Sequence, residues 1–275
     1  MIQPRFKTSM TGVPIIRDLA IETDAERLLR DYNPALLDTP QAINVEDFTE
    51  NYLGLRIHFD NLSHNGSIWG RMVFYNSRIP VYAPEQEKAV FLSMEGGTVL
   101  IDNSLVNGWR DREFRSTMMH ECGHKVYHSQ YYRRESPPSL WLSSSDLEQI
   151  PATACRKVDV QSSGKGGQRL LISDHDWLEH QAKYFSSAIL MPTSMVMRVY
   201  EETDVRKNMG CYEGRGIEQD FELALMNIFR VSAQSARIRI RQLGLDFATF
   251  KAKHPGLFAP KMHDFYMPDL SEWAE

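Results

Sequence analysis

The sequence predicts an α+β fold. Strand-like alternation falls between residues 55 and 102, and helical periodicity fills the chain before and after it. A third observation places the chemistry: the long helix that follows the last of these strands carries the pattern His-Glu-x-x-His.

Taken in order, residues 14–32 read as a helix, with Pro14 in its first turn and Ile16, Leu19, Ala20, Leu28 and Leu29 apolar. Residues 45–53 form a second, shorter helix ending at Gly54. Residues 55–62 alternate as a strand, with Leu55, Ile57 and Phe59 on one face and Arg56, His58 and Asp60 on the other. Residues 68–75 and 99–102 are two further strands. The last of the three is expected at a sheet edge, either open to an extended peptide backbone or covered. Residues 110–131 contain no Pro and only Gly123, and form a long helix with Phe114, Met118, Cys122 and Val126 as its apolar stripe.

That helix carries His120, Glu121 and His124. Histidines four apart lie one turn above each other on the same face, so their imidazoles can grip one zinc ion. Glu121 then lies beside the metal, placed to take a proton from a water held there. His128 continues the histidine stripe, but eight residues past His120 is about 12 Å of helix rise, too far for one ion to bind all three. A third ligand must therefore come from elsewhere. The best source is residues 173–192, a helix opened by a Ser173–Asp176 capping box, given an apolar face by Trp177, Phe185, Ile189 and Leu190, and stopped by Pro192. Glu179 is expected in its first turn. Asp174, Asp176, His175 and His180 are rival ligands, and a plain helix-dipole role for Glu179 is the alternative.

Two segments carry a family resemblance: His120-Glu121-Cys122-Gly123-His124 with His128 following, and Glu179-x-x-Ala182-x-x-Phe185 running into Ile189-Leu190-Met191-Pro192. The chain resembles the ImmA/IrrE family of bacterial metallopeptidases over roughly residues 14–245, although the specific motifs occupy only about two dozen positions. The resemblance implies a zincin-like minimal metallopeptidase with a small sheet of three or slightly more strands. It also implies zinc ligands His120, His124 and, gluzincin-like, Glu179, with Glu121 as general base. It implies further a selective intracellular protease that cuts a helix-turn-helix repressor of a mobile element, prophage or stress response. Cys122, Lys183, Ser186 and Ile189 depart from the usual Leu, Asn, Ala and Leu. Lys183 is the departure expected to alter the surroundings of the metal, because it cannot accept a hydrogen bond.

Composition fits ordinary globular material: 42% hydrophobic, 24% charged, with a net charge of −5 that gives no support for wholesale nucleic-acid binding. No signal-peptide pattern and no run of eighteen apolar residues are present. Cys122, Cys155 and Cys211 are scattered, which suits a reducing cytoplasm; Cys122 points away from the two histidines and reads as core. Residues 1–200 are expected to form the peptidase domain, with 133–172 an inserted loop and a hairpin around the Gly-rich tip at 162–167. Residues 215–247 are expected as a helix-turn-helix-like hairpin packed on that domain, its arginines solvated, and 248–275 as an irregular tail. DNA contact by the second helix of that hairpin, with Arg230, Arg237, Arg239 and Arg241 as its basic residues, is the competing reading. The competing function is a zinc-stabilised, non-catalytic regulator that binds DNA or a repressor. Glu121 favours the peptidase, since a scaffold needs no base.

Overall fold

A computed structural model describes residues 3–135, 152–153, 155–156, 171–202, 215–246 and 249. It is a mixed α+β fold. Lys7–Thr8 (β1) pairs antiparallel with Pro14–Ile15 (β2), so the predicted helix start at Pro14 is wrong; the helix, α1, runs Asp18–Tyr32. Its N-cap, Arg17, makes no side-chain cap, so no capping residue marked the true start. Helix α2, Val45–Asp47, continues as a single π-helical stretch, Phe48–Tyr52, and the chain turns away at Gly54 with φ +66°.

The three predicted strands all form: β3 Arg56–Asp60, β4 Ile68–Val73 and, further on, β7 Thr98–Asp102. Between the last two lies a hairpin the periodicity did not reveal, β5 Ser77–Ala83 paired with β6 Lys88–Met94 as a separate two-stranded sheet among the described residues. The main sheet has the order β3–β7–β4–β8, where β8 is Cys155–Arg156. β7 runs parallel to β3 and antiparallel to β4. The expectation of an edge before the long helix therefore fails: β7 is central and wholly buried. The outer edge of β4 is the one that matters, and β8 lies along it.

Helix α3, Asp111–Glu135, packs across this sheet and against α4, Asp174–Leu190. Met118, Met119, Cys122 and Tyr127 of α3 are buried, as are Leu178, Ala182, Phe185 and Ile189 of α4. Trp177, assigned to that apolar face, is 42% exposed, because the buried stripe begins one residue later at Leu178. The two helices approach at their smallest residues: a Cβ on Gly123 would meet the Ala182 Cα and carbonyl oxygen at 3.1 Å and Phe185 at 3.0 Å. A parallel restriction holds on the sheet side, where a Cβ on Gly70 of β4 would lie 2.6 Å from Thr117 and 3.1 Å from Glu121.

After α5, Thr193–Glu202, helices α6, Arg215–Phe229, and α7, Ala233–Gln242, complete the core. The chain breaks between α6 and α7 as the sequence predicts, and turns after α7 at Gly244 with φ +65°. One expectation is overturned here. Arg239 is not solvated but fully buried, clamped to Glu22 of α1 at 2.5 and 2.7 Å and donating to the Met191 carbonyl that ends α4. Arg237 remains exposed and pairs with Glu222 of α6 at 2.7 Å. The predicted hairpin around residues 162–167 and the tail 250–275 lie outside the described residues.

Candidate metal centre

His120 and His124 face one another across one turn of α3, with Nε2 atoms 3.0 Å apart. Glu179 of α4 completes the group. One of its carboxylate oxygens lies 3.2 Å from His124 Nε2 and the other 3.5 Å from His120 Nε2. Two ligand atoms each about 2.1 Å from a tetrahedral cation sit about 3.4 Å apart, so the three observed separations bracket what a metal requires. All three residues are buried, and together they could hold a metal ion. The donor set fits a cation on a second ground. Among the described residues, Glu121 Oε1 and Glu179 Oε2 are buried without a hydrogen-bond partner, a costly state unless a cation or water meets them.

Glu179 sits in the second turn of α4, not the first, because the helix starts at Asp174. From that turn the carboxylate reaches both His120 and His124. The close Gly123–Ala182 crossing brings the two helices near enough for a two-carbon side chain to reach. Two of the four rivals are otherwise engaged: Asp176 closes the capping box with Ser173, and His180 pairs with Asp18 at 2.8 Å.

Behind the centre runs a buried polar chain. His124 Nδ1 lies 2.9 Å from His128 Nδ1, His128 Nε2 lies 3.0 Å from Gln181 Oε1, and Gln181 Nε2 donates to the Pro14 carbonyl at 2.8 Å. If His124 offers its Nε2 lone pair to a cation, its proton is on Nδ1 and must be given to His128. His128 then carries its own proton on Nε2 and gives it to Gln181. Every tautomer in the chain follows from the first. His128 is thus excluded as a ligand, as the helix rise required, but it orients one. Neither it nor Gln181 was assigned this part from sequence.

Burial sets the charges. It depresses the His120 imidazole to about 3, so the ring is neutral and its lone pair is available. His128 is pushed well down for the same reason. Burial opposes the charge on Glu179, but His120, His124 and Lys183 outweigh it and keep the carboxyl ionised. Glu121, wholly buried, is pushed up to about 7. The Cys122 thiol rises to about 12 through burial, and it lies 3.3 Å from the Thr49 hydroxyl, so it is core and not a ligand, as read.

Lys183 lies beside the site, as its departure from the family pattern led one to expect, whereas Thr153 and Cys155 were missed as neighbours. Lys183 Nζ lies 3.9 Å from Glu179 and lines, with His120 and Tyr184, a cavity of about 220 Å³. Thr153 donates its hydroxyl to Glu121 Oε2 at 2.5 Å. Cys155 places its sulfur within 4.8 Å of ligand atoms of both His120 and Glu121. Of the polar residues nearest the two motifs, Tyr127 is buried against Asp24 and Tyr184 is held by Glu22. His128 is committed to the buried chain, and His175, next to the N-terminus of α4, makes no described contact with the centre. No protein-family model and no curated protein matches the chain. No helix among the described residues is long and apolar enough to cross a membrane.

Proposed function

We propose that the chain is a zinc-dependent endopeptidase, with His120, His124 and Glu179 as ligands and Glu121 as general base. The observation that carries the reading is the buried triad closed by a carboxylate from a second helix, with an unliganded glutamate next to it. A zinc ion bound there supplies a Lewis acid that polarises a scissile carbonyl and acidifies water. Glu121, with burial holding its carboxyl near 7, takes the proton from the attacking water and passes it to the leaving amine. Lys183, facing the same cavity, offers positive charge to the developing oxyanion, a part that the usual Asn would play only as a neutral donor. His128 and Gln181 hold His124 in the ligating tautomer.

The family resemblance extends the proposal to a helix-turn-helix repressor as the substrate and to the cytoplasm as the setting. The burial of Arg239 weighs against DNA contact by the C-terminal hairpin, since the central arginine of α7 is spent on an internal clamp. Two histidines and a carboxylate also suit ferrous iron, so metal analysis of the purified protein comes first. Zinc at one equivalent per chain, with cleavage lost and zinc kept in Glu121→Gln, is the expected result. Full cleavage by Glu121→Gln, or a protein that takes up no zinc, would end the proposal.

A further inference from the structure

Thr153 is buried at the outer edge of β4, where its neighbour Ala152 pairs with Val73. Its N–H donates to the Met72 carbonyl at 3.2 Å, and its hydroxyl oxygen accepts the Met72 N–H at 2.8 Å. That second bond decides where the hydroxyl proton goes. A hydroxyl has a single proton, and with an N–H already directed at its oxygen it must donate elsewhere. It donates to Glu121 Oε2, 2.5 Å away, the length of a charge-assisted bond. The donor is therefore anchored to the main chain of the sheet, and not to α3, the helix that carries the base.

The other carboxylate oxygen is treated differently. Among the described residues, Glu121 Oε1 is buried and has no hydrogen-bond partner. Beside it β4 carries Gly70, where a Cβ would lie 3.1 Å from Oε1 and 3.1 Å from Cγ. The edge of the sheet thus grips one oxygen and makes room for the other. A glutamate side chain turns about several bonds, and α3 fixes only where it begins. A general base must lie within hydrogen-bond reach of the proton it takes, and misplacement by about an ångström costs about 10²-fold in rate. We propose that Thr153 is the positioning residue of Glu121: it holds the carboxylate by Oε2, so that Oε1 is the oxygen presented to the reacting water. Thr153 acts only through Glu121. The contact stands on the geometry alone, and its effect on hydrolysis rests on the peptidase reading.

The contact is tested on the metal-free, full-length protein by a double-mutant cycle in urea unfolding. Thr153→Val removes the hydroxyl, and Glu121→Leu removes its acceptor. Together they are expected to cost less than the sum of the two singly, because they share one bond. Additive costs overturn the contact. The role is tested on the zinc-loaded protein with reduced, labelled casein. Thr153→Val is expected to lower kcat about 10- to 100-fold with KM little changed. Thr153→Ser, which keeps the hydroxyl, is expected to recover kcat to within a few-fold. Zinc affinity by chelator competition is expected to be the same in all three proteins, which separates Thr153 from a residue that orients a ligand. Wild-type kcat in Thr153→Val, a Thr153→Ser protein as slow as Thr153→Val, or a fall in zinc affinity matching the fall in kcat overturns the role. Thr153→Ala, without the bulk of valine, takes the same measurements should Thr153→Val not fold. Non-additive unfolding together with no cleavage by the wild type upholds the contact and rejects the peptidase reading instead.

Discussion

Single atoms decide the chemistry at the residue scale. His120, Glu121 and His124 were legible because helical periodicity turns sequence spacing into spatial spacing. Glu179 needed the resemblance, since chemistry alone left four rivals in the same helix. Thr153 and Cys155 were illegible: Thr153 lies 32 positions from Glu121, and the strand beside it is two residues long, too short for any alternation. His128 was legible only in the negative, as a residue that cannot share the ion. Its tautomeric link to His124 gives a clean prediction. Replacing His128 with Ala, or Gln181 with Leu, leaves the ligands intact yet frees the ring of His124. Metal affinity by chelator competition is expected to fall about 10- to 100-fold, while Glu121→Gln leaves it within a few-fold. Glu121→Gln is instead expected to lower kcat by at least about 10², read by gel densitometry of the cleaved substrate.

At the scale of elements, the placement of Glu179 depends on how closely two helices cross. Gly123→Ala puts a methyl against the Ala182 backbone, which cannot swing aside as a flexible side chain would. The expected outcome is a loss of about 1–3 kcal/mol on denaturant unfolding, accompanied by weaker metal binding because Glu179 moves off with α4. A Gly123→Ala protein that unfolds and binds metal like the wild type would show the crossing to be slack. The β5–β6 hairpin was hidden by two features. Pro80 sits mid-strand, which argues against a sheet interior, and the turn has no Asn-Gly or Asp-Gly. Both strands of an isolated ribbon are edges, so the proline is tolerated there opposite Phe91. Its buried Ile79 and Val81 pack with Val73 and Leu100 as a second apolar cluster behind the main sheet.

For the molecule as a whole, the sequence conveyed the class and the helix-strand-helix order, but not what binds the C-terminal hairpin to the rest. Arginines at helical spacing look alike in a sequence, and only packing separates Arg239 from Arg237. Arg239→Ala leaves the Glu22 carboxylate buried without its partner and is expected to cost about 3–5 kcal/mol. The double change Glu22→Leu with Arg239→Met is expected to cost much less, as urea unfolding would record. Acid should also unfold the metal-free protein early. His120 titrates near 6.5 when unfolded and near 3 when folded, so its contribution is complete above pH 6.5 and drains away as pH falls towards 3. His128 acts in the same direction. Glu121, raised from 4.5 to about 7, acts in the opposite direction and gains as pH falls, but it is one group against two. Calorimetry of the metal-free protein from pH 7.5 to 5 is expected to show a falling Tm. A Tm of the metal-free protein that rises over that range would refute the assignment of neutral buried imidazoles.

Glu22 and Arg239 stand 217 positions apart, so translation delivers them far apart in time. At about 5–20 residues per second the acid waits roughly 10 to 40 s for its base. His120, His124 and Glu179 have all been synthesised before the arginine is added. On the proposed metal site, a nascent chain on the ribosome would carry all three ligands inside a body not yet locked, and metal loading would have its widest window before Arg239 is added.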